Sequence, residues 1–289
     1  MSGAQKIIPC LWFDGNAEDA AAFYTSLFEG SAISHVMRVG DAPAAVTVEF
    51  DLAGYRLVGL NGGPQFTFTP AISLFVVCET VEEIDRLWGA ITDGGRVMMP
   101  LDRYEWSERY GWGADRFGLT WQLMLGPVSS VGQKIAPCLL FVGGVYGRAE
   151  DALRLYTSIF PESPVDGILR YGPGEAGKEG TVKHAQFALS GGKFMVMDGP
   201  GEHAFGFNEA VSFSIACETQ AEIDRYWSGL TAAGGAESLC GWLTDPFGVS
   251  WQVVPADLRE VLSGPHGAAA GKALMGMRKL DADALRAAR

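Results

Sequence analysis

Nowhere does this chain run apolar for the roughly 18 residues that a membrane span needs. Its start, MSGAQK, lacks the charged head and apolar run of a secretory signal, so the expected location is the cytoplasm. Five cysteines include no CxxC pair. Cys10, Cys78, Cys138 and Cys217 lie inside apolar strand-like patterns and read as buried free thiols rather than disulfides. Cys240 stands alone with no base visible beside it in sequence, which favours an incidental thiol over a nucleophile. Positive charge is scarce: 22 Lys and Arg against 34 Asp and Glu give a net charge of −12. Such a body repels phosphate backbones, so no nucleic-acid partner is expected; it attracts cationic ligands if its acidic surface is more than solvated.

What the chain does contain is a duplication. Cys78–Trp88 (CETVEEIDRLW) returns as Cys217–Trp227 (CETQAEIDRYW) with eight of eleven positions identical. DRFGLTWQ at Asp115–Gln122 matches DPFGVSWQ at Asp245–Gln252, and QKIIPCLWF at Gln5–Phe13 matches QKIAPCLLF at Gln133–Phe141. A period of about 130 residues is too long for a solenoid unit and implies two whole domains. The expected division is 1–126, 133–256 and a helical tail 257–289, with Gly126–Gly132 as linker.

Each copy reads as βαβββ-βαβββ. In copy one, Ile7–Phe13 is an apolar strand and Asn16 a cap for a helix with Ala20, Phe23, Tyr24, Leu27 and Phe28 on one face. Val46–Leu52 alternates, placing Thr47, Glu49 and Asp51 opposite its apolar residues. Ile72–Cys78 is a strand, and Thr80 with Glu83 forms a capping box for a second helix. Copy two repeats this with Thr219 and Glu222, but lacks most of the segment Pro100–Tyr110. The fold class is therefore α+β, with two tandem domains, each expected to form one eight-stranded sheet with helices outside.

The motifs Phe23-Tyr24-Thr25, Asn61–Phe68 and Phe117–Gln122 resemble the vicinal oxygen chelate superfamily of glyoxalases, bleomycin-resistance proteins and extradiol dioxygenases. More closely, the chain resembles the PhnB-like branch that carries the label 3-demethylubiquinone-9 3-methyltransferase. The resemblance implies cupped sheets and, in active members, a divalent metal held by His and Glu. Counted from the Phe-Tyr-Thr motif, the ligand positions fall on Pro9, Glu49, Ser73 and Gln122, then on Pro137, Gln186, Ser212 and Gln252. That is one carboxylate among eight, and His184, two residues before Gln186, cannot hold a metal alone. No metal and no cofactor are expected.

What remains is a polar set suited to hydrogen-bonding a ligand: Asn61, Ser73, Gln122, His184, Gln186, Asp198, Ser212 and Gln252. The two glutamines could equally satisfy backbone groups. Tyr104, Trp106, Tyr110 and Trp112 could form a lid or a patch over a sheet edge. The leading expectation is a metal-free small-molecule-binding protein. Alternatives are an enzyme using Glu49 as catalytic base and a sequestering protein similar to the bleomycin-resistance members. The methyltransferase label finds little support, because the one GxGxxG, Gly172–Gly177, contains a proline and has no helix after it. Partners are limited to a small molecule and to pairing of the two domains within the chain, with a homodimer left open.

Overall fold

The computed structural model describes residues 5–38 and 45–288; residues 1–4 of the N-terminal segment and Arg289 of the tail lie outside the described residues. Four βαβββ modules follow one another. The first comprises β1 (Ile7–Phe13), α1 (Ala17–Leu27), β2 (Ala32–Met37), β3 (Thr47–Leu52) and β4 (Tyr55–Asn61). The second comprises β5 (Ile72–Cys78), α2 (Val81–Thr92), β6 (Arg96–Tyr104), β7 (Ser107–Ala114) and β8 (Thr120–Leu125). The third runs through β9 (Ile135–Phe141), α3 (Ala149–Ile159), β10 (Val165–Arg170), β11 (Val182–Leu189) and β12 (Gly192–Asp198). The fourth holds β13 (Val211–Cys217), α4 (Gln220–Thr231), β14 (Ala236–Glu237), β15 (Trp242–Thr244) and β16 (Ser250–Pro255). Three short helices follow: α5 (Leu258–Ser263), α6 (Gly267–Gly276) and α7 (Ala282–Ala287).

The modules make two eight-stranded sheets, but each sheet draws one module from each copy. One sheet has the order β14-β15-β16-β13-β1-β4-β3-β2, joining the first and last modules; the other has β10-β11-β12-β9-β5-β8-β7-β6, joining the middle two. We call them the terminal and central sheets. This corrects the expectation that Glu49, Ser73 and Gln122 share a cup: Glu49 goes with Ser212 and Gln252, and Gln186 with Ser73 and Gln122. Residues 126–134 join β8 to β9 within the central sheet, where β9 pairs antiparallel with β5, the parallel neighbour of β8. The connections 62–71 and 199–210 pass between the sheets instead.

Each copy holds itself together on the helix side. In copy two the buried Asp245 accepts from the Tyr156 hydroxyl (2.6 Å), Trp251 Nε1 (3.0 Å) and the backbone N–H of Phe247 and Val249. Tyr156 belongs to the central sheet's α3 and Trp251 to the terminal sheet's β16, so the carboxylate ties the two sheets together. Copy one repeats this with Asp115 and Trp121 (2.8 Å). There the Tyr24 ring packs on Trp121 at 5.3 Å, and its hydroxyl faces the Asp115 carboxylate without closing to normal hydrogen-bond geometry. The Phe-Tyr-Thr and Asp-x-Phe-Gly-x-x-Trp motifs are thus an inter-sheet knot.

The capping boxes form as the sequence suggests: Thr80 and Thr219 accept from Glu83 N–H and Glu222 N–H. Asn16 makes no side-chain cap. Helix α1 is capped from the sheet instead, where Asn61 Oδ1 accepts from Ala17 N–H at 3.0 Å and its amide donates to Ala45 O.

Candidate functional site

In both sheets alternate residues face helices or the opposite, cup side. Ile7, Leu11 and Phe13 of β1 and Val48, Phe50 and Leu52 of β3 belong to the helix-side core. Cys10, Trp12 and Glu49 consequently face the terminal cup. Register places Ser250, Ser212, Cys10, Val58, Glu49 and His35 in one row across six strands. Gln252 donates to Ser212 Oγ at 3.0 Å. The Cys10 thiol lies against both; burial pushes it up to about 11, outweighing these two contacts, so it stays protonated at neutral pH. Pro9, the position counted for a first metal ligand, faces the helices, and its neighbour Cys10 takes the cup position.

The same row in the central cup contains Cys138, Ser73 and, along β8, Gln122. Gln122 donates to Ser73 Oγ at 2.7 Å and accepts from the Tyr110 hydroxyl at 2.8 Å. Ser73, Gln122 and Tyr110 thus satisfy one another inside the protein, with Ser73 only 1% and Gln122 only 5% exposed, while the buried indole N–H of Trp112 has no partner. Around them Phe75, Val77, Tyr110, Val131, Cys138 and Met195 form a second apolar core, with Met99, Tyr104, Trp112 and Met197 packed on it. The aromatic set therefore plugs a cup, and Trp106 stacks on Tyr104 at 5.0 Å with its own face outward. Gln186 lies at this cup's rim, donating to Asp166 (3.0 Å), which Lys193 also holds (2.7 Å). His184 faces the same side, and burial alone lowers its pKa.

The two cups differ because the hairpins over them differ. β6 and β7 are nine and eight residues long, and bring Tyr104, Tyr110 and Trp112 over the central cup. Their counterparts β14 and β15 have two and three residues. The residues absent from copy two are those that fill the central cup. In the terminal cup Trp12, Thr47, Glu49, Val58, Leu60, Ser214, Trp242 and Gln252 all stay partly exposed. Trp12 donates through Nε1 to Gly63 O (2.7 Å) and meets Phe66 and Trp242 edge-on at 5.1 and 6.1 Å. Glu49 Oε2 accepts from Arg259 of α5 at 3.1 Å.

Two residues expected in the site are elsewhere. Asn61 is the α1 cap described above. Asp198, its equivalent on β12, accepts from Gly147, Ala149 and Val182 N–H, capping α3. Each is the last residue of its strand and faces the helix side. Cys10, Trp12, Trp242 and Arg259 were not anticipated; the missing hairpin in copy two was the available signal.

The terminal cup offers a divalent metal two ligands of the usual kind, the Glu49 carboxylate, already in an ion pair, and the His35 imidazole beside it; the rest are a protonated thiol, hydroxyls and an amide, whereas such an ion takes about three deprotonated or imidazole ligands. Among the described residues no three His, Cys, Asp or Glu side chains stand close enough to hold one. The Gly172–Gly177 loop joins the antiparallel β10 and β11, not a strand to a helix, so it builds no phosphate cradle. A separate cavity of about 620 Å³ lies between the sheets, lined by Gln5, Lys6, Gln133 and Lys134 among others. Its lysines are already paired with Glu222 and Glu83. Among the described residues no helix is long and apolar enough to cross a membrane.

The family model for 3-demethylubiquinone-9 3-methyltransferase matches residues 5–124 and again 133–254. The chain belongs to that family, in tandem. Among solved structures it is similar to a Bacillus cereus PhnB protein that bears the same methyltransferase name. Identity there is 40% over 42% of this chain and all of that one, with TM-score 0.41. Protein PA1353 of Pseudomonas aeruginosa is 24% identical over 42% of this chain and 98% of that one, with TM-score 0.38. A glyoxalase I mutant from Zea mays matches 87% of this chain and 93% of its own at 10% identity, with TM-score 0.56. That likeness shows the fold alone: a duplicated glyoxalase-like chain. No curated protein matches.

Proposed function

We propose that this protein binds one small molecule per chain, without a metal, in the terminal cup. The observation that carries this reading is the asymmetry of the two cups: one is filled by its own hairpin, the other keeps an aromatic wall and polar floor partly open. Trp12, Trp242 and Phe66 supply apolar contact, and Ser212, Gln252 and Glu49 supply orientation. Gln122 and Ser73, which looked like ligand contacts, are better explained as internal polar support for the filled cup. The Glu49–Arg259 pair speaks against Glu49 as a free base, since its carboxylate already accepts from a guanidinium. Methyl transfer is not part of this reading, because among the described residues no element resembles the usual cofactor-binding turn.

A thermal-shift screen over small metabolites, followed by calorimetry on hits, tests it. Ligands should bind at one per chain, and Glu49→Gln and Trp242→Ala should each weaken them about tenfold, the scale of a lost hot-spot contact. Two equivalent sites, or affinity unmoved by both variants, would contradict it.

A further inference from the structure

The charge fixed in the terminal cup is negative. Glu49 sits in the middle of β3, with its side chain 18% exposed, and both neighbouring strands hold its backbone in place. Its partner is much less constrained. Arg259 lies on a helix of only six residues, 210 positions away in sequence, with its side chain 46% exposed. It also has a carboxylate of its own beside it: Glu260 Oε1 accepts from both Nη2 (2.6 Å) and Nε (3.2 Å). If Glu49 were taken by another cation, Arg259 would still be neutralised on the tail.

Glu49 has other groups around it that suit a ligand. On β2 His35 is its direct register partner, hence on the same face, and its buried Nε2 has no hydrogen-bond partner. Trp12, on the same cup face, meets Phe66 and Trp242 edge-on, and aromatic walls of this kind attract cations through their ring faces. The net charge of −12 adds a long-range pull in the same direction.

We infer that Arg259 is a built-in occupant of a cation site, and that the ligand of the terminal cup is an organic cation, an amine or amidinium on an apolar body. This rests on the terminal cup being the binding site. The ligand's cationic group displaces the guanidinium from Glu49, its apolar body lies against Trp12 and Trp242, and Arg259 withdraws to Glu260. The tail helix α5 thereby competes with the ligand instead of contributing to its affinity.

Three isosteric probes separate the possibilities on the full chain: benzamidinium, benzamide and benzoate, titrated by calorimetry into wild type, Arg259→Ala and Glu49→Gln. Benzamidinium should bind best to wild type. Arg259→Ala should tighten it about fivefold, the scale of a partly exposed ion pair, and Glu49→Gln should abolish the preference over benzamide. Preferential binding of benzoate that is lost in Arg259→Ala would make this an anion site, overturning the inference while leaving small-molecule binding in the cup intact. Equal binding of benzamide and benzamidinium would overturn it in the same limited way. Binding of none of the three, even to Arg259→Ala with an unchanged unfolding temperature, overturns the inference, and the metabolite screen then decides the cup's role separately.

Discussion

Residues 1–126 expressed alone should form a homodimer. Within one copy, the Tyr24–Trp121 packing and the Asp115 knot hold the first and second modules together on their helix sides. Their sheets, however, are completed by the other copy: β1 pairs with β13 and β5 with β9, both antiparallel. A single copy exposes the edges of β1 and β5 at once. Both strands are almost wholly apolar, and exposed apolar edges of this length recruit a partner. The partner available is a second copy, whose β5 and β1 can take the places of β9 and β13. Sedimentation at micromolar concentration should give twice the monomer mass, and dilution should unfold the protein as it dissociates. A stable folded monomer would show that modules of one copy can close a sheet together.

Asp245→Ala should be among the most destabilising single changes in the chain. The carboxylate is 3% exposed and accepts four hydrogen bonds. Burial pushes its pKa up, and these donors pull it back. Removing it leaves the Tyr156 hydroxyl, the Trp251 indole and two backbone N–H groups buried and unpartnered. At about 1–3 kcal/mol for each unsatisfied buried group, partly relieved by water entering the gap, the loss should be about 4 kcal/mol. Asp115→Ala should cost less, because Tyr24 contributes no hydrogen bond of normal geometry to that knot. Urea unfolding of the three proteins checks both statements; a loss under about 1 kcal/mol for Asp245→Ala would mean the knot is incidental.

The duplication, the four modules, the helices and the phase of β3, β5, β8, β11, β13 and β16 were legible in the sequence. Glu49, Ser73, Gln122, Gln186, Ser212 and Gln252 all lie on cup faces, because the alternation of Val46–Leu52 and the Trp-Gln pairs of β8 and β16 leave only one phase. In β1 both faces are largely apolar, so nothing local distinguished Pro9 from Cys10. Asn61 and Asp198 looked like ligand contacts because they are polar residues ending apolar strands. Their helix-capping role depends on a helix start about 45 to 50 residues earlier in the chain. Module pairing was illegible for a different reason. β5 and β9 are buried along their whole length, and uniformly apolar strands carry no pattern that names a neighbour. The Glu49–Arg259 contact spans 210 positions and has no local signal at all.

The inequality of the two cups can be read from the indole resonances of the eight tryptophans. In a nitrogen-15 spectrum recorded while a small molecule from the screen is added, Trp12 and Trp242 in the terminal cup should shift with occupancy. Trp112, packed into the central cup, should stay where it is. Shifts at Trp112 with Trp12 and Trp242 unmoved would place the ligand in the cup that we describe as filled, and would contradict the account.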